Sequence, residues 1–128
     1  MSQNPFETKD LLDRALKVVS LREYTKAAAV NNILEVLESK SDDMESLYMT
    51  MAFCERQAAR GIISQGMADE IAKNLQEIAK SGISNKKQVA REFLGFVKWI
   101  FEIAERRRID LRNVRDFDDL IAKLGGRE

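Results

Sequence analysis

The chain has 128 residues, which suffice for one domain with a continuous core but not for two ordinary domains. Apolar residues make up 45% and charged residues 33%. Only six glycines and one proline are present to interrupt helices, so we predict an all-α fold, a compact bundle of five or six helices. Twenty-one basic residues balance twenty-one acidic ones, so the chain is formally neutral. The single cysteine excludes an internal disulfide and favours a cytoplasmic setting. Histidine, the common general base and metal ligand, is absent. No apolar run approaches the roughly 20 residues of a membrane span, and the N-terminus is polar, so we expect neither a membrane helix nor a signal peptide.

Capping residues and apolar spacing predict the first two helices. Asn4 and Pro5 are typical of a helix start, because asparagine caps a helix and proline suits its first turn. Ser20 and Glu23 have the spacing of a capping box, which predicts a second helix over residues 24–38. The two helices are either continuous or bent at this point.

Two further helices have clearer ends. Asp42 and Glu45 again form a capping box, which predicts a third helix over residues 43–60, closed by Gly61 in a left-handed conformation. Ser64 opens a fourth helix, which ends at Ser81 and Gly82.

The last two helices differ in length. Ser84 is predicted to cap the fifth and longest helix, from residue 85 to about 107. A short sixth helix over residues 116–124 ends at Gly125 and Gly126. No segment alternates with the period of a β-strand, so we expect no sheet.

Charge is concentrated in residues 85–115, which hold nine basic and four acidic residues and therefore carry +5 in a neutral chain. Segregated basic charge is typical of a surface that meets phosphate or another acidic partner. We therefore predict contacts to a nucleic-acid backbone, most simply RNA, without reading of the bases. The predicted contact residues lie on the fifth helix and at the end of the third: Lys87, Arg91, Lys98, Arg106, Arg107, Arg108, Arg56 and Arg60.

This basic surface has ordinary alternatives. Lys87, Arg91 and Lys98 lie opposite the apolar face of their helix, so they could form no more than a solvated surface. Arginines at a helix C-terminus also complement the helix dipole, which could explain one or two of Arg106, Arg107 and Arg108, although Arg112 and Arg115 extend the series.

Three apolar side chains are candidates for a protein interface. Met49 and Phe53 point away from the predicted core stripe of the third helix, which comprises Met44, Leu47, Met51, Cys54 and Ala58. Trp99 lies at the margin of the apolar face of the fifth helix, where a packed boundary position is the simpler interpretation. Met49, Phe53 and Trp99 could anchor self-association or another subunit, or further helices could cover them.

No catalytic, cofactor or metal site is predicted. The carboxylates of Asp42 and Asp43 stand at a helix start, where they serve as caps. The aspartates at the start of the sixth helix lack the glycine and glutamate of a calcium loop. Cys54 lies in the predicted core stripe of its helix, so we expect an inert thiol.

Two segments resemble the small helical subunit of type III CRISPR effector complexes, an antiviral defence system. Residues 47–61 read LYMTMAFCERQAARG and are similar to that family's apolar helix followed by arginines; residues 91–105 read REFLGFVKWIFEIAE and are similar to its later aromatic helix. The resemblance implies a non-catalytic subunit that stacks with copies of itself and touches guide and target backbones through Arg56, Arg60, Arg91 and Lys98. The alternative is a helical interaction module or homodimer with no role in nucleic-acid binding.

Overall fold

The computed structural model describes residues 6–126 and consists there of six α-helices and one 3₁₀ turn. The α-helices are α1 (Thr8–Ser20), α2 (Ala27–Leu37), α3 (Asp43–Ala59), α4 (Gln65–Lys80), α5 (Lys86–Arg107) and α6 (Phe117–Gly125), and the 3₁₀ turn is Leu111–Asn113. The structure is 75% helical and has no β-strand within residues 6–126, so the all-α prediction is confirmed. No helix in the same stretch combines the length and the apolar character needed to cross a membrane.

Most of the predicted helix ends are confirmed. Asp42 accepts a hydrogen bond from the backbone N–H of Glu45 at 2.9 Å, and Ser64 accepts one from that of Met67 at 3.2 Å. Gly61 has a φ of +76°, the left-handed conformation in which glycine avoids the strain that a Cβ would cause. Polar side chains that bind their own helix start therefore fix α3 and α4 locally.

The predicted starts of the first two helices are corrected. Ser20 does not cap a second helix; it is the last residue of α1, and its hydroxyl donates to the carbonyl of Lys17. Glu23 lies in the connection with a φ of 44°, so the chain turns here, and α2 begins at Ala27 after the N-cap residue Lys26. The Asn4–Pro5 start lies outside the described residues.

The cap predicted for α5 is also wrong. Asn85, not Ser84, occupies the N-cap position, and its side chain forms no capping hydrogen bond. The acceptor comes from another helix, because the Asp43 carboxylate receives the backbone N–H of Lys87 at 3.1 Å.

The helix ends meet in two groups. At one end, Arg22 binds Glu105 at 2.8 Å, and Thr25 accepts the backbone N–H of Ser64 at 2.9 Å; we call this the Arg22 end. It joins the C-terminal ends of α1, α3 and α5 to the starts of α2 and α4. At the opposite end, which we call the Glu38 end, the close of α2 lies against the first turns of α5.

The core lies around α5, which packs against α1, α2, α3 and α4. Phe93 and Phe101 are the largest fully buried side chains, as expected for an aromatic-rich helix at the centre of the bundle. Helical spacing predicts an apolar face for this helix, and it is buried except for Phe96 and Ile103, which are half-buried. That face comprises Val89, Phe93, Phe96, Val97, Ile100, Ile103 and Ala104. The sequence therefore indicated correctly which face of α5 enters the core.

The core stripe predicted for α3 is only partly correct. Leu47 and Cys54 are buried, but Met44 is exposed, and Met51 and Ala58 are half-buried. The other buried positions of α3 are polar: Ser46, Thr50 and Gln57. Hydrogen bonding makes the burial of Ser46 and Thr50 possible, because the Ser46 hydroxyl donates to the carbonyl of Leu37 and the Thr50 hydroxyl donates to that of Ser46. The interior side of α3 therefore combines polar side chains with Leu47 and Cys54.

Candidate binding surfaces

Lys87 and Arg91 are held by a carboxylate from α2. Arg91 donates to both oxygens of Glu38, with Nη2 to Oε1 at 2.9 Å, and Lys87 Nζ lies 3.7 Å from Oε1. Hydrogen bonding to Arg91 lowers the pKa of Glu38 and raises the pKa of Arg91. Two of the eight basic residues predicted to face a nucleic acid therefore share one carboxylate within the chain.

The three basic residues predicted for the outer face of α5 differ in exposure. The Lys87 side chain is only 13% exposed, and its Nζ also donates to the carbonyl of Lys40. Arg91 is exposed and Lys98 is half-buried, and Lys98 has no ion-pair partner among residues 6–126. The prediction that all three face outward is therefore wrong for Lys87, because the connection after α2 covers it.

The arginines at the end of α5 and after it have separate environments. Arg107 donates to the carbonyl of Leu124 at 3.1 Å, and Arg112 binds Asp110, whose pKa this contact lowers to about 2. Arg106 and Arg108 are exposed and have no carboxylate partner within the described part of the chain. Arg108 ends α5 in a left-handed conformation with a φ of 55°. Arg106 and Arg108 are consequently the members of this series free to meet an anion.

The predicted basic residues divide between the two ends of the bundle. Arg56 and Arg60 are exposed near the close of α3, at the Arg22 end, as are Arg106 and Arg108. Lys87 stands about 30 Å from the end of α5, because twenty residues of helix separate it from Arg107. The structure therefore brings Arg56 and Arg60 towards the end of α5, and not towards Lys87 and Arg91.

Trp99 lies in an open groove formed by α2, α5 and α6. The groove has a volume of about 930 Å³; its apolar lining residues are Ala27, Trp99, Phe101, Ile103 and Leu124. Trp99 is 60% exposed, and its ring stands 5.6 Å from that of Phe96. The expectation of a packed boundary position is thus wrong, because neither α2 nor α6 covers the indole. We call this surface the Trp99 groove.

The outer side of α3 forms a second apolar surface. Met44, Tyr48 and Met49 are exposed there, and we call them the α3 surface. Phe53, which was predicted to point away from the core stripe, is partly buried and packs against the core. No residue of α3 lines the Trp99 groove, so Met49 and Phe53 lie outside it.

Sequence reasoning missed Glu38 and the apolar lining of the groove. Glu38 meets Arg91 across 53 positions, and no local pattern marks such a pairing. Ile103 and Leu124 resemble ordinary core residues in the sequence, and only the arrangement of α5 and α6 leaves them half-buried. Exposed Tyr48, by contrast, could have been found from its position on the helical wheel, about 100° from buried Leu47 and about 120° from buried Cys54.

The described residues offer no assembled reaction chemistry. Burial raises the pKa of the Cys54 thiol to about 12, which keeps it protonated and unreactive at neutral pH. Within residues 6–126, no group of three or more acidic or cysteine side chains could hold a metal ion. Exposed apolar side chains and unpaired cations are the main features of the described surface.

Comparison of the chain with protein-family models, curated proteins and solved structures gives no significant match. The two segments that resemble the type III CRISPR small subunit lie mainly on α3 and on α5. That resemblance stays a prediction.

Proposed function

We propose that the chain is a non-catalytic assembly subunit that binds another protein, a partner subunit or a copy of itself, through the Trp99 groove. The observation that carries this proposal is an indole 60% exposed among the apolar side chains of Ile103 and Leu124. Covering an indole exposed to this extent stabilises a complex by about 3 kcal/mol. Tryptophan is also among the residues most often responsible for interface affinity. The buried Cys54 and the absence of a membrane helix in residues 6–126 fit a cytoplasmic setting.

The α3 surface supports self-association as one form of this assembly. Its exposed Tyr48 and Met49 stand on a different element from Trp99, so one copy can offer α3 while the next offers its groove. A contact between two different surfaces repeats from copy to copy and produces rings or open filaments. Such stacking is also what the type III CRISPR resemblance implies.

Sedimentation velocity over a range of protein concentrations tests the assembly proposal for self-association, and co-purification with an expressed partner tests it for other subunits. We expect Trp99→Ala to abolish the complex in either case, and Tyr48→Ala to abolish only self-association. Tyr24→Ala is the control, because Tyr24 is 55% exposed but does not line the groove. Circular dichroism of each variant establishes that it is folded. A complex that survives Trp99→Ala unchanged would refute the proposal.

Binding to a nucleic-acid backbone is a second candidate function, favoured by one observation. Arg56, Arg60, Arg106 and Arg108 are exposed at the Arg22 end and have no carboxylate partner within residues 6–126. Several such cations can hold phosphates without reading bases, and the affinity then falls steeply with salt. The type III CRISPR resemblance implies the same kind of contact.

Titration of labelled RNA and DNA at two salt concentrations tests the second candidate. We expect an Arg106→Ala, Arg108→Ala double variant to bind more weakly. The logarithmic salt slope, which is the slope of the logarithm of the affinity against the logarithm of the salt concentration, should fall in magnitude by about 0.7 to 0.9 for each phosphate that the variant no longer binds. A Lys87, Arg91 and Lys98 triple alanine variant reports separately on the basic residues of α5. Absence of binding by the wild-type protein at low salt would exclude this function.

A further inference from the structure

The shape of the Trp99 groove restricts what can fill it. Its floor combines fully buried Phe101 with half-buried Ile103 and Leu124, and it opens to solvent beside Trp99. Small-molecule sites enclose most of the ligand surface, which an open groove does not do. An amphipathic helix instead lays several apolar side chains along such a groove and leaves its polar side in water.

The side of the groove where α5 ends carries unbalanced positive charge. Arg106 is exposed and has no carboxylate partner in residues 6–126, and Arg107 keeps its charge because it donates to the neutral carbonyl of Leu124. Glu105 lines the same groove but is held by Arg22 at 2.8 Å, so it does not neutralise Arg106.

The start of α2 adds to this positive charge. Ala27, its first residue, lines the groove beside Arg106 and Arg107. The N-cap residue Lys26 is exposed, makes no side-chain cap, and is followed by a first turn without an acidic residue. The free backbone N–H groups of a helix start carry partial positive charge, which a carboxylate stabilises.

The opposite charge lies nearer to Trp99. Glu102 is three residues after Trp99, lines the groove and is exposed, and its carboxylate has no cation partner in the described residues. Along the groove lining, unpaired Glu102 therefore lies one helical turn closer to Trp99 than unpaired Arg106, and an occupant whose charges follow the matching order is favoured in one direction.

We infer that the occupant is an amphipathic helix of a partner protein whose apolar residues cover Trp99 and whose acidic end lies over the start of α2, against Arg106. This inference rests on the proposed role of the groove in protein binding and adds the chemistry and the orientation of the partner. Apolar contacts supply the affinity, and the order of Glu102 and Arg106 along α5 selects the direction.

Selection from a phage-displayed library of random peptides tests this assignment, with peptides of roughly 15 residues, about four helical turns. Selections run in parallel on the wild-type protein, on Trp99→Ala and on Arg106→Glu. We expect the wild-type protein to enrich peptides with helically spaced apolar residues and Asp or Glu at one end. Trp99→Ala should enrich none of them, and Arg106→Glu should lose the preference for acidic residues.

A selected peptide is then synthesised in two versions. One keeps its acidic end, and the other has lysines in place of the acidic residues. Trp99 is the only tryptophan of the chain, so a blue shift of its emission reports directly that the groove is filled. We expect the acidic peptide to bind about tenfold more tightly than the lysine peptide, and Arg106→Glu to remove that difference. Arg60→Glu is the matched control, because it reverses an exposed arginine at the same end of the bundle but outside the groove.

Two failures are distinguishable. Peptides that bind in a Trp99-dependent way but without a charge preference would overturn the acidic helix and leave the assembly proposal intact. Failure to enrich any Trp99-dependent peptide would also overturn the inference. If the protein then self-associates through Trp99, the occupant of the groove is a second copy of the chain. If it does not self-associate and co-purifies with no partner, the proposed function fails with it.

Discussion

Asp43 caps a helix to which it does not belong. It is the first residue of α3, and its carboxylate accepts the backbone N–H of Lys87 in the first turn of α5 at 3.1 Å. The neighbouring Asp42 caps α3 itself through the N–H of Glu45. Two adjacent carboxylates therefore satisfy the starts of two helices and hold them side by side at the Glu38 end.

Asp43→Ala is expected to lower the free energy of unfolding by about 1 kcal/mol, because it leaves a helix N–H without its acceptor. Urea denaturation monitored by circular dichroism measures the change. Ser84→Ala is the control, since Ser84 has the sequence pattern of a cap but Asn85 occupies the N-cap position. Equal losses in the two variants would contradict the assignment of the cap to Asp43.

The parts of the fold that could be predicted from sequence are those with local causes. Asp42, Ser64 and Gly61 mark helix ends because the cap and the backbone it serves lie within a few residues of each other. Ser20 and Glu23 have the same spacing as Asp42 and Glu45, but Ser20 donates to its own helix instead. The spacing alone does not distinguish a helix that begins at a residue from one that ends there.

The candidate surfaces depend on contacts between distant residues, and this limited their prediction. Lys87 and Arg91 look like free cations in the sequence because Glu38, which binds them, belongs to another helix. Trp99 looks like a boundary residue because its exposure depends on how far α6 extends across α5. Helical spacing assigns a residue to a face of its own helix, but it does not indicate which neighbour covers that face.

Gln57→Met is expected to stabilise the protein by about 1 kcal/mol. The Gln57 side chain is buried in α3, and its Oε1 has no hydrogen-bond partner among residues 6–126. Methionine keeps a similar shape and removes the cost of burying an unpaired amide oxygen. Thermal and urea denaturation measure the effect.

Ser46→Ala is the contrasting variant for this prediction. Ser46 is buried in the same helix, but its hydroxyl donates to the carbonyl of Leu37, so alanine should destabilise the protein by about 1 kcal/mol. A loss of stability in Gln57→Met would mean that its amide oxygen is satisfied in solution.

Glu38→Gln is expected to make the protein less sensitive to acid. Hydrogen bonding to Arg91 lowers the pKa of Glu38 in the folded state. The ion pair therefore stabilises the folded protein at pH values above the unfolded pKa of about 4.3, and this stabilisation is lost as the pH falls through the lower folded pKa. The pair is exposed, which limits the contribution at neutral pH to less than about 1 kcal/mol and makes it decrease with salt. Urea denaturation from pH 7 down to pH 3 measures it.

Glu35→Gln is the matched control, because Glu35 is an exposed carboxylate of α2 with no cation partner in the described chain. The difference in unfolding free energy between wild type and Glu38→Gln should shrink on acidification, while Glu35→Gln should show no comparable change. A difference for Glu38→Gln that is constant from pH 7 to pH 3 would show that the ion pair contributes nothing.

The same substitution separates the two basic regions if the protein binds RNA. Glu38→Gln removes the carboxylate that binds Arg91, so this exposed cation becomes available to phosphates, while Lys87 stays covered by the connection after α2. We expect tighter binding at low salt and a logarithmic salt slope steeper by about 0.7 to 0.9 for each additional phosphate bound. Glu35→Gln changes the net charge equally but frees no cation, and should therefore increase binding less, with little change in slope. If the two variants bind RNA alike, Lys87 and Arg91 serve only to join α5 to α2, and any nucleic-acid surface lies at the Arg22 end with Arg106 and Arg108.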